Sequence, residues 1–309
     1  MHEGSKKAIL AAALANLGIA IAKFIGFLIT GASSMLAESI HSVADTTNQG
    51  LLILGGRQAS RPATPEHPFG YGRDRYFWAF VVAMVLFLVG GLFAVYEGIS
   101  KLRDPHEISS PAVAFAILGV AVVLELFSLR TAVREAGAVR GRQSWVDYIR
   151  RSKSPELPVV LLEDLGALIG LLLAIVGLTL TEVTGDASWD GAATLAIGVL
   201  LVTIAVILVV EMKSLLIGES ATTEHQGAIR SAIEGTPDVR GLIHMRTLHL
   251  GPDELLVAAK IDLPPDLTAT RIAAAIDAAE ARVRAAVPIA RVIYLEPDLR
   301  DPAPGGPAA

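Results

Sequence analysis

The run Ser34–Gly56, SMLAESIHSVADTTNQGLLILGG, combines two features that membrane helices seldom share. It is as long as a helix that crosses a bilayer, which takes about 20 residues. It also carries Glu38, His41, Asp45 and Asn48. Side chains four apart lie on one face of a helix, about one turn from each other, so His41 and Asp45 are neighbours. Glu38 and Asn48 extend that face by three residues on either side. Ionisable groups inside a membrane are costly and therefore informative. Imidazole and carboxylate one turn apart make half of a divalent-metal site. The same pair could instead be a hydrogen bond that glues helices together.

Working outward, the long apolar pattern recurs at about 8–30, 76–98, 111–130, 158–180 and 191–217. With 34–56 this gives six transmembrane helices in residues 1–217. Composition agrees. The 309 residues are 52% hydrophobic and 18% charged, with 28 glycines and a mean hydropathy of +0.54. Soluble proteins average about 25% charged. A disordered chain, a nucleic-acid binder and a typical cytosolic enzyme are therefore not expected. Cysteine is absent, which removes disulfides, thiolate zinc sites and cysteine nucleophiles. The basic start followed by a long apolar run, with further spans after it, is not the pattern of a cleaved signal.

Orientation follows from Lys and Arg in the short loops. With the N-terminus inside, the inner segments hold Lys6, Lys7, Arg57, Arg61, Arg73, Arg75, Arg130, Arg134, Arg140, Arg142, Arg150, Arg151 and Lys153. The outer loops hold Lys101 and Arg103. Both termini are expected in the cytoplasm. The Ala-, Gly- and Arg-rich style points to a bacterial cell membrane.

After residue 218 the pattern changes. A helix is expected at Thr222–Gly235, strands at Val239–Leu250 and Leu255–Leu263, a helix at Thr268–Val287 and a strand at Arg291–Glu296. Residues 218–300 therefore read as a small cytoplasmic α+β domain. The tail Asp301–Ala309, DPAPGGPAA, is expected to be disordered.

The fifth stretch adds Glu163 and Asp164. Adjacent helical residues point about 100° apart, so both should not face one partner. Asp164 can meet Asp45 if the second and fifth helices pack together. Two bare carboxylates close together in low dielectric repel strongly, so a proton or a metal must sit between them. Lys23 either neutralises one of these carboxylates or snorkels outward. Glu97, Glu125 and Glu211 are expected at helix–water interfaces. His67 in a loop, and His244 and His249 five apart on one strand, are weaker candidates for a metal.

These residues, in this order, resemble the cation diffusion facilitator family. The likeness rests on six helices, the α+β domain, His41-x-x-x-Asp45, and His67-Pro-Phe-Gly-Tyr-Gly72 after the second helix. The run Ala37–Leu52 with Leu161-Leu-Glu-Asp164 is similar to the subgroup typified by the animal mitochondrial zinc exporter. The resemblance implies a homodimer in a lipid bilayer that exports a divalent cation in exchange for protons. It also implies a ferredoxin-like C-terminal domain that helps hold the dimer, and no prosthetic group. The implied ligands are His41, Asp45 and Asp164. Where many zinc members have a histidine, this chain has Val160. Glu163, Glu38, Asn48 or water is left to complete the shell. That oxygen-rich set suits manganese, iron or cobalt better than a two-histidine site would, with zinc still first. Lys260 and Tyr294 stand where some members have metal-binding histidines, while His244 and Glu296 match. The expected protein is a transporter and not an enzyme. The alternative is a non-transporting membrane partner or metal sensor of the same fold.

Overall fold

The computed structural model describes residues 3–106, 108 and 110–300, with side chains described from residue 16 onward. The tail 301–309 and the side chains of Lys6 and Lys7 lie outside the described residues. Residues up to Gln58 together with Asp74–Lys213 form one compact unit. Ala59–Arg73 and the chain from Ser214 form a second.

The first unit is helical. α1 (Glu3–Thr30) and α2 (Ser33–Ala59) are followed by α3 (Asp74–Val85). A π-helical segment, Leu86–Leu92, runs on without a break into α4 (Phe93–Arg103). Then come α5 (Pro111–Arg140), the short α6 (Trp145–Arg151), α7 (Glu156–Thr184) and α8 (Ser188–Ile217). Among the described residues, four rods are long and apolar enough to cross a membrane: Asp74–Arg103, Pro111–Arg140, Glu156–Thr184 and Ser188–Ile217. Among the described side chains of α1, Asn16–Thr30 is a shorter apolar helix. α2 is long but not apolar, because its row of Ser, Glu, His, Asp, Thr and Asn dilutes the run. The face that makes α2 informative is thus the face that weakens its hydropathy signal.

The helices outrun the apolar stretches because their ends are polar turns with their own caps. Ser144 accepts a hydrogen bond from Asp147 N–H and starts α6, an element the hydropathy pattern does not mark. Gly185 ends α7 at φ 73°, a left-handed position that favours glycine. Asp190 of α8, fully buried, accepts from the backbone N–H groups of Ser33 (2.8 Å) and Ser34 (3.3 Å). A carboxylate at the start of α2 meets the positive end of its dipole, so α8 pins that end of α2.

The continuous rod of the π-helical segment and α4 interlocks with α8 through glycines. Gly91 abuts Val202 and Gly98 abuts the backbone of Leu195, while Gly198 abuts Val95 and Gly191 abuts Leu102. The partners run in opposite directions, three and four residues apart. The two rods are therefore antiparallel, with each glycine letting a backbone approach closely. On the outside, large apolar side chains remain uncovered, with Phe127 74% and Val183 80% exposed. Such a surface is matched by hydrocarbon rather than by water. The chain is an integral, multi-pass membrane protein.

The second unit holds α9 (Thr223–Glu234), β1 (Gly241–Gly251), β2 (Glu254–Asp262), α10 (Ala269–Ala286) and β3 (Ala290–Asp298). The sheet order is β1-β2-β3. β1 and β2 form an antiparallel hairpin, whereas β2 and β3 are parallel and need the crossover that α10 supplies. Thr222 and Thr268 cap their helices by accepting from His225 N–H and Arg271 N–H. Alternate residues of β2 (Leu255, Val257, Ala259 and Ile261) are buried with Ile229 and Ile233 of α9 and Ala275, Ala279 and Val283 of α10. The loop 59–73 packs here too. A Cβ on Gly72 would stand 2.7 Å from the carbonyl oxygen of Leu250, so only glycine fits against the hairpin turn. His67 is exposed and lies against Tyr71, with ring centroids 4.7 Å apart.

Candidate metal site

α2 contributes the central residues. His41 is buried, with Nε2 3.5 Å from Oδ2 of Asp45 and the two side chains 1% and 14% exposed. That separation is at the edge of hydrogen-bond reach. Neither ring nitrogen of His41 has a hydrogen-bond partner among the described residues, and neither does Oδ1 of Asp45. Buried polar atoms are nearly always satisfied, so two bare imidazole nitrogens beside a half-bare carboxylate are open to a ligand.

α7 places Glu163 and Asp164 beside α2. Asn48 Nδ2 donates to Oε1 of Glu163 at 2.7 Å. Ser128 of α5 donates to Oδ2 of Asp164 at 2.9 Å. The two carboxylates diverge, as the helical twist requires. Both nonetheless line one cavity, because four helices surround it and each acid is oriented by a different neighbour of α7.

That cavity has room for about one water-sized sphere (≈ 10 Å³), a volume that suits a single ion or water. Asp45, Ser42 and Gln49 line it from α2, and Val160, Glu163 and Asp164 from α7. Glu125 of α5 and Asn16 and Ile19 of α1 close it. Of these nine residues four are acidic and none is basic. Gln49 Oε1, like Asp45 Oδ1, is buried there without a hydrogen-bond partner among the described residues. Val160, at the histidine position of many zinc members, is part of the wall.

Not every candidate is gathered. His41 reaches the cavity through Asp45 and is not itself in its lining. Among the described residues no three His, Asp or Glu side chains are close enough to hold an ion as they stand. Glu38 is held apart. Lys23 Nζ donates to its Oε2 at 3.2 Å and to Ser42 Oγ at 2.8 Å, with Lys23 and Glu38 both fully buried. Lys23 thus neutralises an acid of α2, and its charge reaches Asp45 and Glu125 from outside the cavity wall, which itself holds no base.

Sequence reasoning placed Glu125 at an interface, but it lines the cavity. The signal lay in its spacing. Leu118, Ala121, Glu125, Ser128 and Ala132 recur every three or four residues, and the apolar members of that stripe are buried. Gln49 and Asn16 carried no comparable signal. His244 and His249 face opposite sides of β1, as five-residue spacing in a strand requires. His244 is exposed, and His249 is buried with Nδ1 3.2 Å from Gly251 O.

A helical membrane unit with an acid-lined cavity, joined to a small α+β unit, defines a cation-handling membrane protein. Two family models cover nearly all of it: the cation efflux transmembrane domain over residues 9–217, and the cation efflux protein, cytoplasmic domain over residues 221–298. The chain belongs to the cation efflux, or cation diffusion facilitator, family. It is 32% identical over 242 residues to the mitochondrial proton-coupled zinc antiporter SLC30A9 of Homo sapiens, covering 78% of this chain and 43% of that protein. It is 26% identical over 260 residues to metal tolerance protein C4 of Arabidopsis thaliana, covering 84% and 57%. To zinc transporter ZitB of Pectobacterium atrosepticum it is 24% identical over 266 residues, covering 85% and 78%. The chain thus spans less than half the length of the human relative.

Proposed function

We propose that this protein exports a divalent metal cation across a membrane in exchange for protons, zinc before manganese, iron or cobalt. His41, Asp45 and Asp164 are the proposed ligands. Glu163 is the fourth in preference to Glu38, whose charge is already met by Lys23. The observation that carries the reading is the cavity, in which carboxylates from three helices face each other with no basic residue in the wall. In low dielectric that arrangement is tolerable only with a cation among the acids.

Metal ligands bind in their deprotonated forms, so loading the metal releases protons and protonation competes the metal off. His41 is the proposed proton carrier, since its ring nitrogens make no hydrogen bond among the described residues and can hold either a proton or the metal. No covalent step is needed, so the protein is a carrier and not an enzyme. The cytoplasm loads the site, both termini lie in the cytoplasm, and α1 and α2 complete six spans in the cell membrane. The C-terminal domain, a ferredoxin-like variant on this reading, helps hold a homodimer. SLC30A9 is a proton-coupled zinc antiporter and ZitB a zinc transporter, which supports zinc and proton coupling.

The test is zinc uptake by inverted vesicles under an imposed pH gradient. Asp45→Ala and Asp164→Ala should each reduce uptake to the protein-free background. Wild-type rates in both variants would show that the site is elsewhere. Metal binding by the purified protein without any metal-stimulated proton flux would favour the sensor reading.

A further inference from the structure

α5 contributes more to the cavity than packing. Its outward positions Val123, Leu124, Leu126 and Phe127 are exposed and apolar, while Leu118 and Ala121 are buried. Glu125 and Ser128, both half-buried, continue that stripe at helical spacing. Ser128 donates to Asp164 Oδ2 at 2.9 Å, which holds this face of α5 against a proposed ligand. Glu125 lines the same cavity as Asp45, Glu163 and Asp164. It makes no hydrogen bond or ion pair among the described residues, and the lysine whose charge it feels, Lys23, is already bound to Glu38. A carboxylate kept on the inner face of a membrane helix with no partner there is costly unless something cationic visits it.

A second feature points to a ligand at this place. His41, 1% exposed and with neither ring nitrogen hydrogen-bonded among the described residues, turns Nε2 toward Asp45 at the cavity wall. Across the cavity Val160 offers no donor atom. The coordination that Val160 lacks has to come from oxygen, and Glu125 is the acid that a third helix brings.

We propose that Glu125 is a specificity-determining residue of the cation site, giving the bound ion a carboxylate oxygen from α5 and shifting its preference toward harder, oxygen-loving divalent cations such as manganese. The inference rests on the transport reading above and deepens it. A carboxylate added to a site with one imidazole raises its share of hard ligands, which favours manganese relative to zinc. The side chain of Glu125 has enough rotatable bonds to close on an ion from the cavity wall.

The experiment measures binding of zinc(II) and manganese(II) separately by titration calorimetry on the purified full chain, for wild type, Glu125→Gln, Glu125→Asp and Asp164→Ala. Glu125→Gln keeps the shape and removes the charge. It should weaken manganese binding by about 10- to 100-fold, the scale seen when a group supporting a metal site is lost, with a smaller loss for zinc. Glu125→Asp, which withdraws the carboxylate by one methylene, should fall between wild type and Glu125→Gln. It decides by the same ratio if the Gln form does not fold. Unchanged affinities, or equal losses for the two metals, would overturn the proposal. Asp164→Ala separates the two levels. If it abolishes binding while the Glu125 variants behave as wild type, only this inference fails. If it too binds as wild type, the transport site itself is wrong.

Discussion

Lys23 and Lys260 hold carboxylates at nearly the same distance and have opposite importance. Lys23 Nζ lies 3.2 Å from Glu38, and both side chains are fully buried. Lys260 Nζ lies 3.0 Å from Glu296 and 3.0 Å from Asp298 on the sheet of the second unit, with the three side chains 32%, 63% and 42% exposed. Water screens the second cluster and can replace any member of it. The first has no such substitute, so each charge is obligatory for the other. Burial, rather than separation, decides what an ion pair does.

The sharpest way to break this contrast is to remove each lysine. Lys23→Met leaves Glu38 buried and unpaired, which costs about 3–5 kcal/mol. The variant should lose thermal stability in detergent, read as a fall in the melting temperature of the full chain. Adding Glu38→Gln should restore most of it, because the stranded charge goes with its partner. If Lys23→Met alone melts like wild type, the pair is not the closed unit described. In that case Glu38 belongs among the proposed ligands after all.

The contrast also explains what could be read from the chain and what could not. The pattern of apolar runs marks the four long apolar rods of the first unit, and alternation marks the strands of the second, because both follow from which side chains must leave water. His41, Asp45, Glu163 and Asp164 were legible as candidates because a charge in a membrane run is conspicuous. The divergence of Glu163 and Asp164 implies that both should not face one partner. Asn48 of α2 and Ser128 of α5 instead orient the two acids onto one cavity from different sides. The pairing of Lys23 with Glu38 depends on how α1 lies along α2, which no local pattern encodes. The cap that Asp190 places on α2 comes from 156 residues away, and sequence spacing carries no sign of it.

A smaller effect probes packing rather than charge within the first unit. A Cβ on Gly98 would come 2.5 Å from the backbone nitrogen of Leu195, and backbone cannot rotate out of the way. Gly98→Ala should destabilise the antiparallel α4–α8 pair by about 1–3 kcal/mol, as overpacking does. Gly119 on α5 has nothing within 4 Å of the same added atom, so Gly119→Ala should leave the melting temperature unchanged or raise it. Equal behaviour of the two variants would mean that the glycines between α4 and α8 are not needed for close approach.

The smallest effect is expected at Lys260, and its sign with pH is fixed by the surroundings. Hydrogen bonds to Glu296 and then Asp298 hold the ammonium above its usual 10.5. The backbone N–H of Leu299, followed by Lys260, holds Asp298 below its usual 3.8. A raised lysine contributes stability that is complete below 10.5 and is lost as pH climbs through the folded value. A lowered aspartate contributes stability present above 3.8 and lost as pH falls through its folded value. Lys260→Met should therefore melt slightly below wild type by an amount that is flat between about pH 5 and 9, where Lys260 and Asp298 both stay charged. The gap should close at both extremes, and added salt should shrink it throughout, since the cluster faces solvent. A gap that instead grew in salt, or matched that of Lys23→Met, would mean that this lysine too is shielded from water in the assembled protein. The sheet face carrying it would then be covered by a second copy of the chain.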